Sequence, residues 1–278
     1  MAKKNSVKKS GSPSDPVGIF DSGIGGLTVA NAIQQVLPNE SIIYFGDTAH
    51  LPYGDKSPDS IRYYSIRISQ FLLTHHAKMI VIACNTASSL AYETVKDFVG
   101  GQVPVINVID PVVDAVVAQK NLQKVGVIGT KGTIKSDIYS TKLKSKRKKI
   151  DVASLATPLL APMIEEGFFN NKISRSIIAS YLSNRRLKKI DSLILACTHY
   201  PLIKPEIIEY YSDKINIIDS AGVVADHVKQ VLSENQLLSK NKKPKHHFYV
   251  SDFTNSFEES TKNFFRSKIH LEEVDLWK

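Results

Sequence analysis

The chain is poor in several features that would narrow its class at once. Its 278 residues include two cysteines, too few for a disulfide framework. Neither belongs to a C-x-x-C pair, so a metal site is not expected. No run approaches the ~18–20 apolar residues of a membrane span. Residues 1–15 are rich in lysine and serine and lack an apolar stretch, so a secretory signal is not expected. Neither a Walker A loop nor a complete G-x-G-x-x-G is present, which argues against a nucleotide site. Zinc-finger, RNP-like and basic-zipper patterns are missing too. These absences point to a soluble protein of the reducing cytoplasm, with no membrane partner.

The net charge of +9 invites a nucleic-acid reading, until it is placed. Lys3, Lys4, Lys8 and Lys9 against Asp15 give the first 16 residues +3, and residues 141–149 (TKLKSKRKK) add six more. The remainder is neutral. A short basic run is ordinarily a solvated face, so nucleic acid is not the expected partner. Residues 1–16 read as a disordered leader whose removal leaves turnover unchanged. With 42% hydrophobic residues, the rest has ample material for a core.

From Val17 onward, apolar β-rich runs alternate with segments of helical pattern. The runs lie at 17–20, 41–45, 79–83, 103–109, 124–129, 150–156, 192–196 and 215–219. Continuous apolar runs separated by ~10–20 helical residues indicate parallel strands with crossover helices, hence an α/β fold. The chain also repeats itself. Val17–Ser22 resembles Val125–Thr130 at an offset of 108, Met79–Asn85 resembles Ser192–Thr198 at 113, and Ile106–Asp110 resembles Ile215–Asp219 at 109. Parallel strands resemble one another in any protein. What lifts these matches above that background is that both cysteines, Cys84 and Cys197, follow an alanine at the end of a matched strand. The expected architecture is two similar lobes, each a mainly parallel sheet flanked by helices, related by a pseudo-two-fold internal duplication.

Ligands of open parallel sheets bind beyond the carboxyl ends of the strands, where both cysteines should lie. A lone free cysteine is usually a small buried hydrophobe. A matched pair on facing lobes would instead put one thiol on each wall of a cleft. Inversion at a carbon centre requires that arrangement, because a proton leaves one face and another arrives at the opposite face. A thiol, with a reference pKa of ~8.5, suits both tasks. His199 is close enough in sequence to relay a proton for Cys197, and Asp21, at the end of the first run, could do so for Cys84. Asn85-Thr86 and Thr198-His199 lie where turns or helix starts expose N–H groups to a carboxylate. The turn Ser22–Gly26 allows close backbone approach. Pro52-Tyr53-Gly54 is turn chemistry leading out of a strand.

The stretches GIFDSGIGGLTV (18–29), YFGDTAHLPYGDKS (44–57), IVIACNTASS (80–89), PVINVIDP (104–111), VGVIGTKGTI (125–134) and LACTHYPLI (195–203) together resemble the glutamate racemases of the aspartate/glutamate racemase superfamily. The resemblance runs from Val17 to about Ala221, and more weakly through HHFYVSD (246–252) and NFFRSKI (263–269). It implies interconversion of L- and D-glutamate with no cofactor and no metal, supplying D-glutamate to peptidoglycan. It assigns Cys84 and Cys197 as the acid/base pair, assisted by Asp21 and His199. Cys84 would act on the D enantiomer and Cys197 on the L. Substrate contacts carried over are Asp21, Ser22, Tyr53, Gly54, Asn85, Thr86, Thr130, Glu165, Thr198 and His199, with Glu166 an alternative register for Glu165. A first lobe of 17–109 with 220–278, a second of 110–219, a cleft site between them and a homodimer are expected. An aspartate racemase, or a non-catalytic amino-acid or nucleic-acid binder, are the competing readings. Thr198-His199 after the second cysteine favours glutamate.

Overall fold

The structure, a computed structural model, describes residues 11–120 and 122–278. All eight expected runs form strands: β1 Val17–Asp21, β2 Ile42–Gly46, β3 Met79–Ile82, β4 Val105–Asn107, β5 Lys124–Gly129, β6 Asp151–Ala156, β7 Ser192–Ala196 and β8 Asn216–Asp219. Two more, β9 His246–Val250 and β10 Leu271–Glu273, follow. β1, β2, β3 and β7 are buried along their whole length. Helices cover both faces of the sheets, which is why these strands read as unbroken apolar runs.

Every ladder is parallel. One sheet has the order β10-β9-β2-β1-β3-β4 and the other β6-β5-β7-β8. The order β2-β1-β3-β4 thus recurs as β6-β5-β7-β8. The three sequence matches pair β1 with β5, β3 with β7 and β4 with β8. β9 and β10 extend the first sheet beyond β2 and, among the described residues, have no counterpart in the second.

The two sheets share a core. One apolar cluster includes Ile19 and Val81 of the first sheet, Leu193 and Leu195 of the second, and Leu27, Ile33, Val224 and Val228. The last four belong to the helices Leu27–Val36 and Ser220–Glu234, which pack on each other. Two smaller clusters line the outer faces. The lobes are therefore joined by continuous apolar packing, and their strand-end loops meet above it.

The expected leader falls largely outside the described residues, since 1–10 are not among them. Residues 12–15 form a turn, with the Asp15 N–H donating to the Ser12 carbonyl at 2.9 Å. The buried Lys78 ammonium donates to the carbonyls of Pro13 (2.7 Å) and Leu237 (2.8 Å) and pairs with Glu40. The basic run lies partly on the helix Ile138–Lys146, where Lys142 pairs with Asp110 at 2.6 Å and Lys146 pairs with Asp114. Among the described residues, no helix is long and apolar enough to cross a membrane.

Candidate active site

Cys84 leaves β3 and caps the helix Asn85–Leu90: the Ala87 N–H donates to its Sγ at 3.5 Å. Its thiol donates to the Ser22 hydroxyl at 3.7 Å. Cys197 leaves β7, the strand equivalent to β3, and its Sγ lies 3.6 Å from His199 Nδ1. The turns after both strands contribute to one pocket. Both thiols line one cavity of about 30 Å³, room for about two waters. Of the twelve residues singled out in the sequence, eleven line it: Ser22, Tyr53, Gly54, Cys84, Asn85, Thr86, Thr130, Glu165, Cys197, Thr198 and His199.

Asp21 is the exception. It is fully buried behind the wall, and its Oδ2 accepts from the N–H groups of Gly23 (3.2 Å) and Gly26 (2.9 Å). Its Oδ1 has no hydrogen-bond partner. Ser22, rather than Asp21, is the side chain hydrogen-bonded to Cys84. On the other wall, His199 Nε2 lies 2.9 Å from Glu165 Oε1, an ion-pair approach without the alignment of a ring N–H hydrogen bond. Glu166 caps the end of the helix Leu160–Glu165 and is not in the wall.

The electrostatics separate the two walls. Burial pushes the Cys84 thiol up to about 12, reinforced by the Asp21 charge and Cys197, while the Ala87 N–H and Ser22 oppose the rise. At neutral pH Cys84 is therefore a thiol. Burial raises the Asp21 carboxyl too, and His199 with the N–H groups of Gly26, Gly23 and Ser22 offsets this in part. Burial alone would lower His199. Its contacts with Cys197 and Glu165 outweigh that and hold the ring well above its usual value, favouring imidazolium. The structure thus carries a protonated donor on each wall.

Close approach between the lobes depends on missing side chains. A Cβ on Gly25 would lie 2.4 Å from His199 Cε1, and one on Gly54 would lie 2.8 Å from Thr130 Cβ. Thr86 and Thr130 meet across the cleft with hydroxyls 2.8 Å apart, and Thr28 donates to the Thr198 carbonyl at 3.0 Å. Leu51, Pro52, Ala161 and Ala196 complete the wall, and nothing in the sequence singles out Leu51 or Ala161. The buried Tyr139 also went unread. Its hydroxyl donates to Asn85 Oδ1 at 2.7 Å and leaves Asn85 Nδ2 buried without a partner, a donor available to a substrate oxygen. Only its place in the second lobe, opposite Asn85, gives it that role. A larger hollow of about 770 Å³ lies elsewhere, between the turn at Gly100–Pro104 and Asn235–Leu237. It contains neither thiol, so its size does not make it the reaction site.

The structure is thus a two-lobed parallel α/β fold with one thiol from each lobe at a shared cavity. The chain belongs to the Asp/Glu/Hydantoin racemase family, whose model matches residues 27–228. Within that family it is 43% identical over 258 residues to the glutamate racemase of Chlorobium phaeobacteroides, covering 92% of this chain and 94% of that protein. Among solved structures it is similar to the glutamate racemase of Francisella tularensis in complex with D-glutamate, with a TM-score of 0.89, 39% identity and coverage of 95% and 99%. The Bacillus anthracis glutamate racemase isoform RacE1 gives a TM-score of 0.87 at 34% identity, with coverage of 94% and 98%.

Proposed function

We propose that this protein interconverts L- and D-glutamate by removing the α-proton on one face and returning a proton on the other. The observation that carries the reading is the pair of thiols, Cys84 and Cys197, one from each lobe, lining the same cavity. Cys197, beside His199, takes the α-proton of L-glutamate as thiolate, and the Cys84 thiol protonates the opposite face. The reverse direction exchanges the roles. His199, held by Glu165, holds or relays the proton of Cys197, and Asp21 lies behind Cys84 as its charged neighbour. The unpartnered Asn85 Nδ2, with Thr86 and Thr198, donates to the substrate carboxylate, which favours charge build-up at the α-carbon. Ser22, Tyr53, Gly54 and Thr130 complete the substrate wall.

Pocket length separates glutamate from aspartate, and one methylene is worth only ~1–3 kcal/mol. The named activity of the relatives and the bound D-glutamate of the Francisella protein favour glutamate. Circular dichroism of L-glutamate and of L-aspartate, each incubated with purified protein, tests the assignment. Decay with glutamate and none with aspartate is expected, and the converse would reassign the substrate. The product would serve peptidoglycan synthesis in the cytoplasm. A homodimer, the assembly expected from the sequence, belongs to the same proposal, and sedimentation equilibrium tests it.

A further inference from the structure

One buried carboxylate apart from the acid/base groups binds three distant stretches of chain together. Asp47 follows β2 and is fully buried. Its Oδ1 accepts from the Ser251 hydroxyl at 2.8 Å, just past β9, and from the Trp277 indole N–H at 3.2 Å. Its Oδ2 accepts from the Tyr53 hydroxyl at 2.6 Å. His50 Nδ1 lies 3.0 and 3.1 Å from the two oxygens. Ser251 also accepts the Ala49 N–H at 3.0 Å, and the Trp277 ring stands edge-on to His50 at 4.6 Å. Tyr53 is itself buried and forms part of the cavity wall.

We propose that Asp47 is a positioning residue for substrate binding: it fixes Tyr53 in the cavity wall by tying the 47–55 loop to Ser251 and Trp277 at the far end of the chain. The inference rests on the reading that this cavity binds glutamate. Its chemistry follows from the donors. An indole N–H can only donate, and burial together with the Asp47 charge keeps the Tyr53 phenol protonated. A carboxylate satisfies both at once through charge-assisted bonds. In Asp47→Asn the single amide oxygen is drawn to the indole, and an NH2 group faces the phenol instead. The thiols hang on other turns, after β3 and β7, so the loss falls on binding rather than on proton transfer.

The test is a double-mutant cycle read as KM and kcat with both glutamate enantiomers, using Asp47→Asn, Tyr53→Phe and the pair. Asp47→Asn should raise KM about tenfold, the scale of one charge-assisted hydrogen bond, with a much smaller change in kcat. In the Tyr53→Phe background the same substitution should add little. Trp277→Phe keeps a six-membered aromatic ring and removes the N–H donor together with the five-membered ring, so it should raise KM about threefold. Trp277 is the only tryptophan, so its emission in Asp47→Asn should stay near that of the wild type, and a strong red shift would contradict retention of the indole bond. Additive effects of Asp47→Asn and Tyr53→Phe, or a fall in kcat with KM unchanged, would overturn the proposal. If Asp47→Asn does not fold, Trp277→Phe decides alone, and a wild-type KM overturns the proposal. A wild-type protein that fails to racemise glutamate removes the functional reading instead, which keeps the two failures distinct.

Discussion

Cys84 and Cys197 carry the same functional group in different surroundings. Cys84 has a hydroxyl and a backbone N–H beside it and a buried carboxylate behind, whereas Cys197 has a raised histidine. A thiol pushed up to about 12 is almost wholly protonated at pH 8, and alkylation requires thiolate. In Cys197→Ser protein without substrate, Cys84 should react with iodoacetamide at least ~100-fold slower at pH 8 than an ordinary cysteine, and faster as pH approaches 12. A rate equal to free cysteine would contradict the assignment. Asp21 gives a second prediction. Its folded-state pKa is raised, so the folded protein binds this proton more tightly than the unfolded chain does. Stability therefore falls as pH rises from about 4 through the raised value, and the loss persists above it. Thermal melts between pH 4 and 8 should show Asp21→Asn gaining stability relative to wild type as pH rises, while kcat falls. The cysteines and His199 were legible in the sequence because they sit in distinctive motifs on matched strands. Tyr139 and the full set of Asp47 partners were not, because their contacts cross from one part of the fold to another and leave no local pattern.

Among the elements, the strand-end turns carry the function and the glycines set how closely they meet. Gly25 belongs to the turn after β1, and a methyl group there would collide with His199 Cε1 at 2.4 Å and Thr198 Oγ1 at 2.7 Å. Gly25→Ala should cost about 1–3 kcal/mol of stability by overpacking. It should also lower kcat/KM by ~100-fold through displacement of His199. A chemical melt and steady-state kinetics on one preparation check both, and unchanged kinetics would show that His199 placement is not critical. The eight strands of the duplicated unit were readable because each lies in a short run dominated by apolar residues, and β1, β2, β3 and β7 are buried throughout. β9 and β10 were not. HHFYV alternates between buried and more exposed positions, and β10 is three residues with two exposed. Neither gives an apolar run, and each is held as a strand by its neighbour in the sheet.

For the whole molecule, one apolar core spans both lobes, so they do not separate as independent bodies. The cavity that both thiols line lies at the seam above that core. Lys131 and Asp55 meet across the seam at 3.2 Å, both well exposed. Exposed pairs contribute about 0–1 kcal/mol, so Lys131→Ala should change kcat/KM by less than about fivefold. The sequence suggested that residues 1–16 could be removed with turnover unchanged. The buried Lys78 changes that for stability, because truncation takes away the Pro13 carbonyl it donates to. Deleting 1–16 should lower stability by about 1–3 kcal/mol while kcat at low temperature stays unchanged, as urea titration and kinetics would show. The central claim is that each face of the substrate has its own thiol. The most direct measurement is L-glutamate in D₂O with wild type, Cys84→Ser and Cys197→Ser, followed by α-proton NMR and optical rotation together. Two-sided chemistry predicts that, early in the wild-type reaction, deuterium appears in D-glutamate before it appears in remaining L-glutamate, and that either substitution stops racemisation. Full racemisation by either single variant would contradict it.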